Sequence, residues 1–244
     1  MDTGLLILFS LLVIGFLYSS VGHGGASGYI ALLSLFGIVP AQYKSLILIL
    51  NIIVASLAFI QFYRAGFFKW HLCWPFIVAS IPFAFLGSKI PIHDDYYNLF
   101  LGIALIFPII RLVGFFPSDK EENKTLPLKA ALIIGAIIGF VSGILSIGGG
   151  IFLSPVIILF AWGNAKEAAA VSALFIVVNS ISGLIGSLDK PILMDESSLS
   201  WFVAIVTGGI AGSYLGSHRF QNKTVQYVLA AVLSIACVKL IFLT

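Results

Sequence analysis

The chain has 244 residues, 60% of them hydrophobic and only 9% charged, with a net charge of +3 and a mean hydropathy of +1.11. Soluble domains carry roughly a quarter charged residues, so this composition excludes a soluble globular protein and defines an integral membrane protein. All ten acids (Asp2, Asp94, Asp95, Asp119, Glu121, Glu122, Glu167, Asp189, Asp195 and Glu196) fall at a terminus or in a polar connection, which disfavours any mechanism that needs a carboxylate inside the membrane.

Apolar runs of membrane length or nearly so lie at about 4–21, 27–38, 45–62, 72–88 and 97–115, and again at about 129–146, 151–162, 168–187, 200–217 and 224–243. The first has no basic n-region and no small-x-small cleavage site, so it reads as a membrane helix rather than a signal peptide. It ends in a glycine-rich break, Gly22-His23-Gly24-Gly25. A second break, Gly148-Gly149-Gly150, follows the sixth run. At an offset of 124, Ile14-Gly15-Phe16 falls on Ile138-Gly139-Phe140, Gly24-Gly25 on Gly148-Gly149, Leu35-Phe36 on Leu159-Phe160 and Ala41 on Ala165. Leu86-Gly87-Ser88 meets Leu215-Gly216-Ser217 at an offset of 129, so the second copy carries about five extra residues. The expected organisation is a duplication: residues 1–115 form a first membrane repeat, 116–128 a cytoplasmic linker rich in Pro and charge, and 129–244 a second membrane repeat.

The run after each break is short. Twelve helical residues cover about 18 Å, enough to reach the middle of a hydrocarbon core about 30 Å thick but not to cross it. The first two runs of each half therefore form either a re-entrant hairpin or one broken helix running straight through. With hairpins, Arg64, Lys69, Arg111, Lys120, Lys124, Lys129, Lys166, Arg219 and Lys223 share the cytoplasmic side, leaving Lys44, Lys89, Lys190 and Lys239 outside. With continuous crossings the division becomes nearly even. The positive-inside rule favours the hairpin, which places both termini outside and gives the halves opposite orientations. The expected fold is thus all-α and integral to the membrane: two inverted-topology repeats, each a glycine-tipped re-entrant helical hairpin plus three spanning helices.

Two such tips imply an anion site. The first N–H groups of the helix after each break (Gly24 to Ser27, and Gly149 to Phe152) lack intrahelical acceptors, and each helix start carries about half a positive charge. Unpaired donors at membrane depth are tolerated only where protein, water or a ligand satisfies them. The candidate substrate-binding residues are Gly22, His23, Gly24, Gly25, Ser27, Asn51, Ser146, Gly148, Gly149, Gly150, Ser154 and Asn179. Bland readings stand beside these: glycine and serine are common wherever membrane helices pack closely, and an intramembrane Asn can simply join two helices. His23 is either a neutral imidazole holding the turn or a substrate or proton group. Ser19, Ser20 and Ser142 are expected to bond carbonyls of their own helices, Trp70, Trp74, Trp162 and Trp201 to be interfacial anchors, Lys44 and Arg64 to snorkel, and Cys73 and Cys237 to be buried thiols.

The stretch from Ile138 to Pro155, with its Ser-Ile-Gly-Gly-Gly core, resembles the hallmark of the TauE/SafE family of sulfite exporters. Ala165 to Gly183, with Ser172-Ala173-Leu174-Phe175 and Asn179, fits the same pattern, and the likeness spans essentially the whole chain. The first half is looser, with Gly22-His23-Gly24-Gly25-Ala26-Ser27 in place of the triple glycine. The resemblance implies transport of small sulfur anions (sulfite, thiosulfate or organosulfonates) across the bacterial cytoplasmic membrane, in a direction that differs between members, and no nucleic-acid partner. The residues themselves point to a secondary transporter working by alternating access. An anion channel with the same constriction and a non-transport membrane subunit are the competing readings. No Gly-x-x-x-x-Gly-Lys-Ser/Thr loop occurs. An enzyme would cluster ionisable groups at one depth, where only His23 qualifies. No cofactor is expected, and coupling to a proton or to sodium stays open.

Overall fold

The computed structural model describes residues 3–38, 43–91, 94–113, 124–189 and 196–219, and scattered positions from 227 to 241. Ala41, His93, the linker from 114 to 123 with Lys120, the loop with Lys190, and Lys223 and Lys239 lie outside the described residues, as does most of the expected last run. Among the described residues the chain is all helical: α1 (Thr3–Ser20), α2 (Ala26–Leu35), α3 (Lys44–Arg64), α4 (Trp70–Ser88), α5 (Asp94–Leu112), α6 (Leu128–Leu145), α7 (Gly150–Leu159), α8 (Ala165–Gly186) and α9 (Glu196–His218). Six of these, α1, α3, α4, α6, α8 and α9, are long and apolar enough to cross a membrane. The helices α2 and α7 that follow the breaks have ten residues each, about 15 Å of rise.

The helices pack crosswise between the halves. The closest seams join α1 to α9 and α6 to α4, so the first helix of each half lies on the fourth of the other, while α3 packs on α8 between them. Glycines four residues apart make both seams. On α9, Gly208, Gly212 and Gly216 sit on the backbone of Leu12, Phe16 and Ser20; on α6, Gly135, Gly139 and Gly143 sit on that of Phe76, Ser80 and Ala84. A Cβ on Gly139 would come within 2.5 Å of the Ser80 carbonyl oxygen. Without a hydrophobic drive between helices inside lipid, such small-residue seams give the close packing that holds them together.

These contacts fix helix directions. Numbers rise together along α1 with α9 and along α4 with α6, so each pair is parallel. α4 is also parallel to α8, with Cys73 bonded to the Val171 carbonyl and Ser182 to that of Ile81. α3 and α9 run the same way too, Tyr43 stacking near Trp201 and Val54 meeting Gly209. By contrast α3 and α8 are antiparallel: Leu48 touches the Gly183 position, Asn51 bonds Ser180, and Phe62 packs with Ala169 and Ala170. Hence α1, α3 and α9 point one way and α4, α6 and α8 the other.

At one end of this bundle Lys69 approaches Glu167 at 4.0 Å, and Lys166 donates to the Ser217 carbonyl at 3.4 Å. The Asn164–Glu167 capping box fixes the start of α8 there. At the other end the Lys44 ammonium lies 3.9 Å from the centre of the Tyr97 ring. Two expected anchors differ: Trp70 and Trp74 are exposed, but Trp162 and Trp201 are buried. Trp162 stacks on Phe160 at 4.8 Å beside Phe76, so neighbouring rings cover it. Cys73 and Cys237 are buried free thiols.

Candidate substrate site at the two glycine breaks

Each break is built by left-handed backbone. Gly25, which precedes α2, has φ +98°, and Gly149, which precedes α7, has φ +79°. Residues with a Cβ are strained in that region. Packing closes the turns as tightly: a Cβ on Gly28 would lie 2.7 Å from Ile14, and one on Gly149 would lie 2.9 Å from Ile138. Ser146 closes α6 in the same left-handed region at φ 57°.

The two breaks meet. His23 Nε2 lies 3.2 Å from the Gly150 carbonyl oxygen and 3.2 Å from Ser154 Oγ on α7. Ser154 gives its own hydrogen to Ser172 Oγ at 2.7 Å, and a carbonyl only accepts, so the imidazole carries its hydrogen on Nε2. A single side chain of the first break thus ties it to α7 and, through Ser154, to α8. Asn51 makes the second tie. Its Oδ1 accepts from the Ala26 N–H at 3.2 Å, capping α2 from outside, and its Nδ2 donates to Ser180 Oγ at 2.9 Å. Gly24 and Gly148 both press on this carboxamide; a Cβ on Gly148 would lie 2.5 Å from Asn51 Nδ2. Gly22 backs onto α8 at Ala169.

The remaining candidates divide. Ser27 Oγ pairs with the Tyr18 hydroxyl at 3.1 Å, and the Tyr29 hydroxyl donates to the Gly24 carbonyl at 2.7 Å. The sequence reading did not single out either tyrosine, because aromatic residues inside apolar helices look like ordinary core. Asn179 turns its amide to the Phe175 carbonyl of its own helix at 2.8 Å, and its Oδ1 is buried without a hydrogen-bond partner. Ser20 and Ser142 bond carbonyls one turn back, as expected. Ser19 does not; its hydroxyl oxygen is buried and unpartnered.

The chemistry available is therefore backbone donation. The Ser27 and Gly28 N–H groups at the start of α2, and those of Gly150 and Ile151 at the start of α7, find no acceptor among the described residues. Their surroundings are Tyr, Ser, Asn and His side chains, with no buried carboxylate among the described residues. Two helix starts with open donors and no competing acid favour a small anion. Among the described residues no group of His, Cys, Asp or Glu is placed to hold a metal ion.

Six apolar spans packed around a polar junction with no buried acid among the described residues define a multi-pass membrane protein. Residues 7–240 match the family model described as sulfite exporter TauE/SafE, and the chain belongs to that family. It is 35% identical over 252 residues to probable membrane transporter protein y4hK of Sinorhizobium fredii, with 99% of this chain and 100% of that one covered. Probable membrane transporter protein YunE of Bacillus subtilis is 24% identical, covering 81% of this chain and 78% of its own. Probable membrane transporter protein MJ0441 of Methanocaldococcus jannaschii is 26% identical, covering 75% and 73%. No solved structure matches the chain.

Proposed function

We propose that the protein is a secondary transporter of small sulfur-containing anions, sulfite first among them, across the bacterial cytoplasmic membrane. The observation that carries this reading is the pair of open helix starts, Ser27 with Gly28 and Gly150 with Ile151, brought to one junction by His23. Backbone donors recognise a compact oxyanion without a fixed charge that would hold it too tightly to release. The choice of sulfur oxyanions rests on the family.

The two halves are read as inverted repeats whose first two helices form a hairpin. Two observations support this. The equivalent helices α1 and α6, α3 and α8, and α4 and α9 point in opposite directions. Moreover α1 and α3 point the same way, which requires α2 to bring the chain back; a continuous α1–α2 crossing would set α3 against α1. The first break runs from Gly22, which touches Ala169 near the start of α8, to Ala26, which bonds the Asn51 side chain two turns into α3. That span straddles the middle of the bundle, where an anion would be held while the repeats rock around it. The end that gathers Arg64, Lys69, Lys124 and Lys166 is the cytoplasmic one, so the amino terminus lies outside.

Flux from liposomes tests the proposal: sulfite, thiosulfate, a small sulfonate and sulfate, each with and without imposed proton and sodium gradients. Saturable flux of one sulfur anion with trans-stimulation is expected. Large unitary currents would make the protein a channel, and no flux from folded protein under any gradient would end the transport reading. The gradient that accelerates flux identifies the coupling ion.

A further inference from the structure

A second polar site lies outside the junction of the glycine breaks, at the end of the bundle that carries most of the basic side chains. A cavity of about 590 Å³ opens there between the starts of α4 and α6, with Trp162 at its inner wall. Its lining holds Lys69, His71, Lys124 and Thr125, against one acid, Glu167. Glu167 offsets only part of that positive charge. It serves the capping box of α8 and approaches Lys69 at 4.0 Å while remaining only 12% exposed. Lys124 and His71 are left as exposed cationic or donor groups facing the opening. Both helices that begin at the rim, α4 after Lys69 and α6 after Pro127, lack a side-chain cap, so their first N–H groups add positive potential.

The mouth is not purely polar. Trp74 lines the cavity and is 37% exposed, and the same face of α4 continues through Val78 and Ile81, both exposed. A cationic pocket at the bundle end that runs into an apolar track along a spanning helix has the shape of a phospholipid: headgroup phosphate above, acyl chain below. Basic pockets between membrane helices on the cytoplasmic side bind such headgroups. We infer that this cavity binds a phosphate group carried by an anionic phospholipid, with Lys69, Lys124, His71 and Thr125 on the phosphate and the Trp74–Val78–Ile81 face under a chain. The backbone N–H of Lys124 donates to the Ala161 carbonyl at 2.7 Å, just past the end of α7. The occupant therefore braces α4, α6 and the end of α7 together. This inference is independent of what the protein carries.

The test is lipid retention. Full-length protein is exchanged into mixed micelles holding equal phosphatidylglycerol and phosphatidylcholine, and bound lipid is counted by native mass spectrometry. The wild type is expected to hold one phosphatidylglycerol preferentially. The Lys69→Ala/Lys124→Ala variant should lose that preference by about thirtyfold, from two lysines at about fivefold each. Glu167→Gln keeps the capping geometry while removing the competing charge, and should strengthen retention. Inorganic phosphate supplies the other arm: competition at millimolar concentration would keep the phosphate site and assign it to the free ion instead of the lipid. Equal retention of both lipids by the wild type, or a preference untouched in the double variant, would overturn the inference.

Discussion

The two glycine breaks are built alike just before the short helix and differ in the side chains that hold them. Both place a left-handed glycine before a ten-residue helix. At the first, side chains hold the turn from three directions: Asn51 caps Ala26, Tyr29 bonds the Gly24 carbonyl, and His23 reaches across to Gly150 and Ser154. At the second, Ile147 stands where His23 would be, and Asn179, the counterpart of Asn51, bonds its own helix and leaves Oδ1 unpartnered. Both breaks therefore keep open N–H groups, while the side chains that hold them are divided unequally. The first half supplies the fasteners and the second is fastened.

The seams are the baseline for that comparison, because there the halves match. Gly212→Val on α9 and Gly139→Val on α6 each drive a side chain into the facing backbone, overpacking worth about 1–3 kcal/mol or more. Both should sharply reduce the yield of monodisperse protein in detergent, and to a similar degree. A seam that tolerates valine in one half alone would show that the pairing is less symmetric than the contacts imply.

The breaks come next. Gly149→Val adds left-handed strain of about 1–3 kcal/mol and a side chain against Ile138 and Phe175. Gly24→Val instead displaces the Asn51 carboxamide. Both should abolish liposome flux while the protein still inserts. Normal transport by either would remove that break from the site.

The asparagines separate the fasteners from the fastened. Asn51→Ala strands the Ala26 N–H and cuts the link to Ser180, so thermal unfolding in detergent should show a loss of about 1–3 kcal/mol. Asn179→Ala removes an oxygen that has no partner and should cost under about 1 kcal/mol. Equal losses would mean that the two carboxamides do the same job. His23→Ile copies the second break into the first. It should cost about 1 kcal/mol, and amide exchange at Gly150 and Ile151 should quicken as the tie between breaks is lost; unchanged exchange would deny His23 that role.

Sequence made the elements legible because membrane length and hydrophobicity are local properties. The expected runs fall on α1 to α9 within a few residues, and the repeat offset marked both breaks. Partners are another matter, since they depend on which faces meet. The glycines of α9 and α6 did not announce that each would lie on the opposite half, and Trp162 and Trp201 looked like rim residues until packing buried them. For the site, the rule that helix starts are unsatisfied pointed to both breaks, but Ala26 is capped by Asn51, Phe152 bonds the Gly149 carbonyl, and the open Gly28 N–H lay outside the expected range. The link from His23 to Gly150 spans 127 residues of chain and leaves no local signal. Nor does pattern distinguish Asn51, bonded across helices, from Asn179, bonded within one.

The central claim is that one anion is held by backbone donors from both breaks, and amide protection reads this residue by residue. Hydrogen exchange on protein in lipid nanodiscs, with and without saturating sulfite, should show added protection at Ser27 and Gly28 together with Gly150 and Ile151. Protection at neither pair, or at one pair alone, would contradict the shared site.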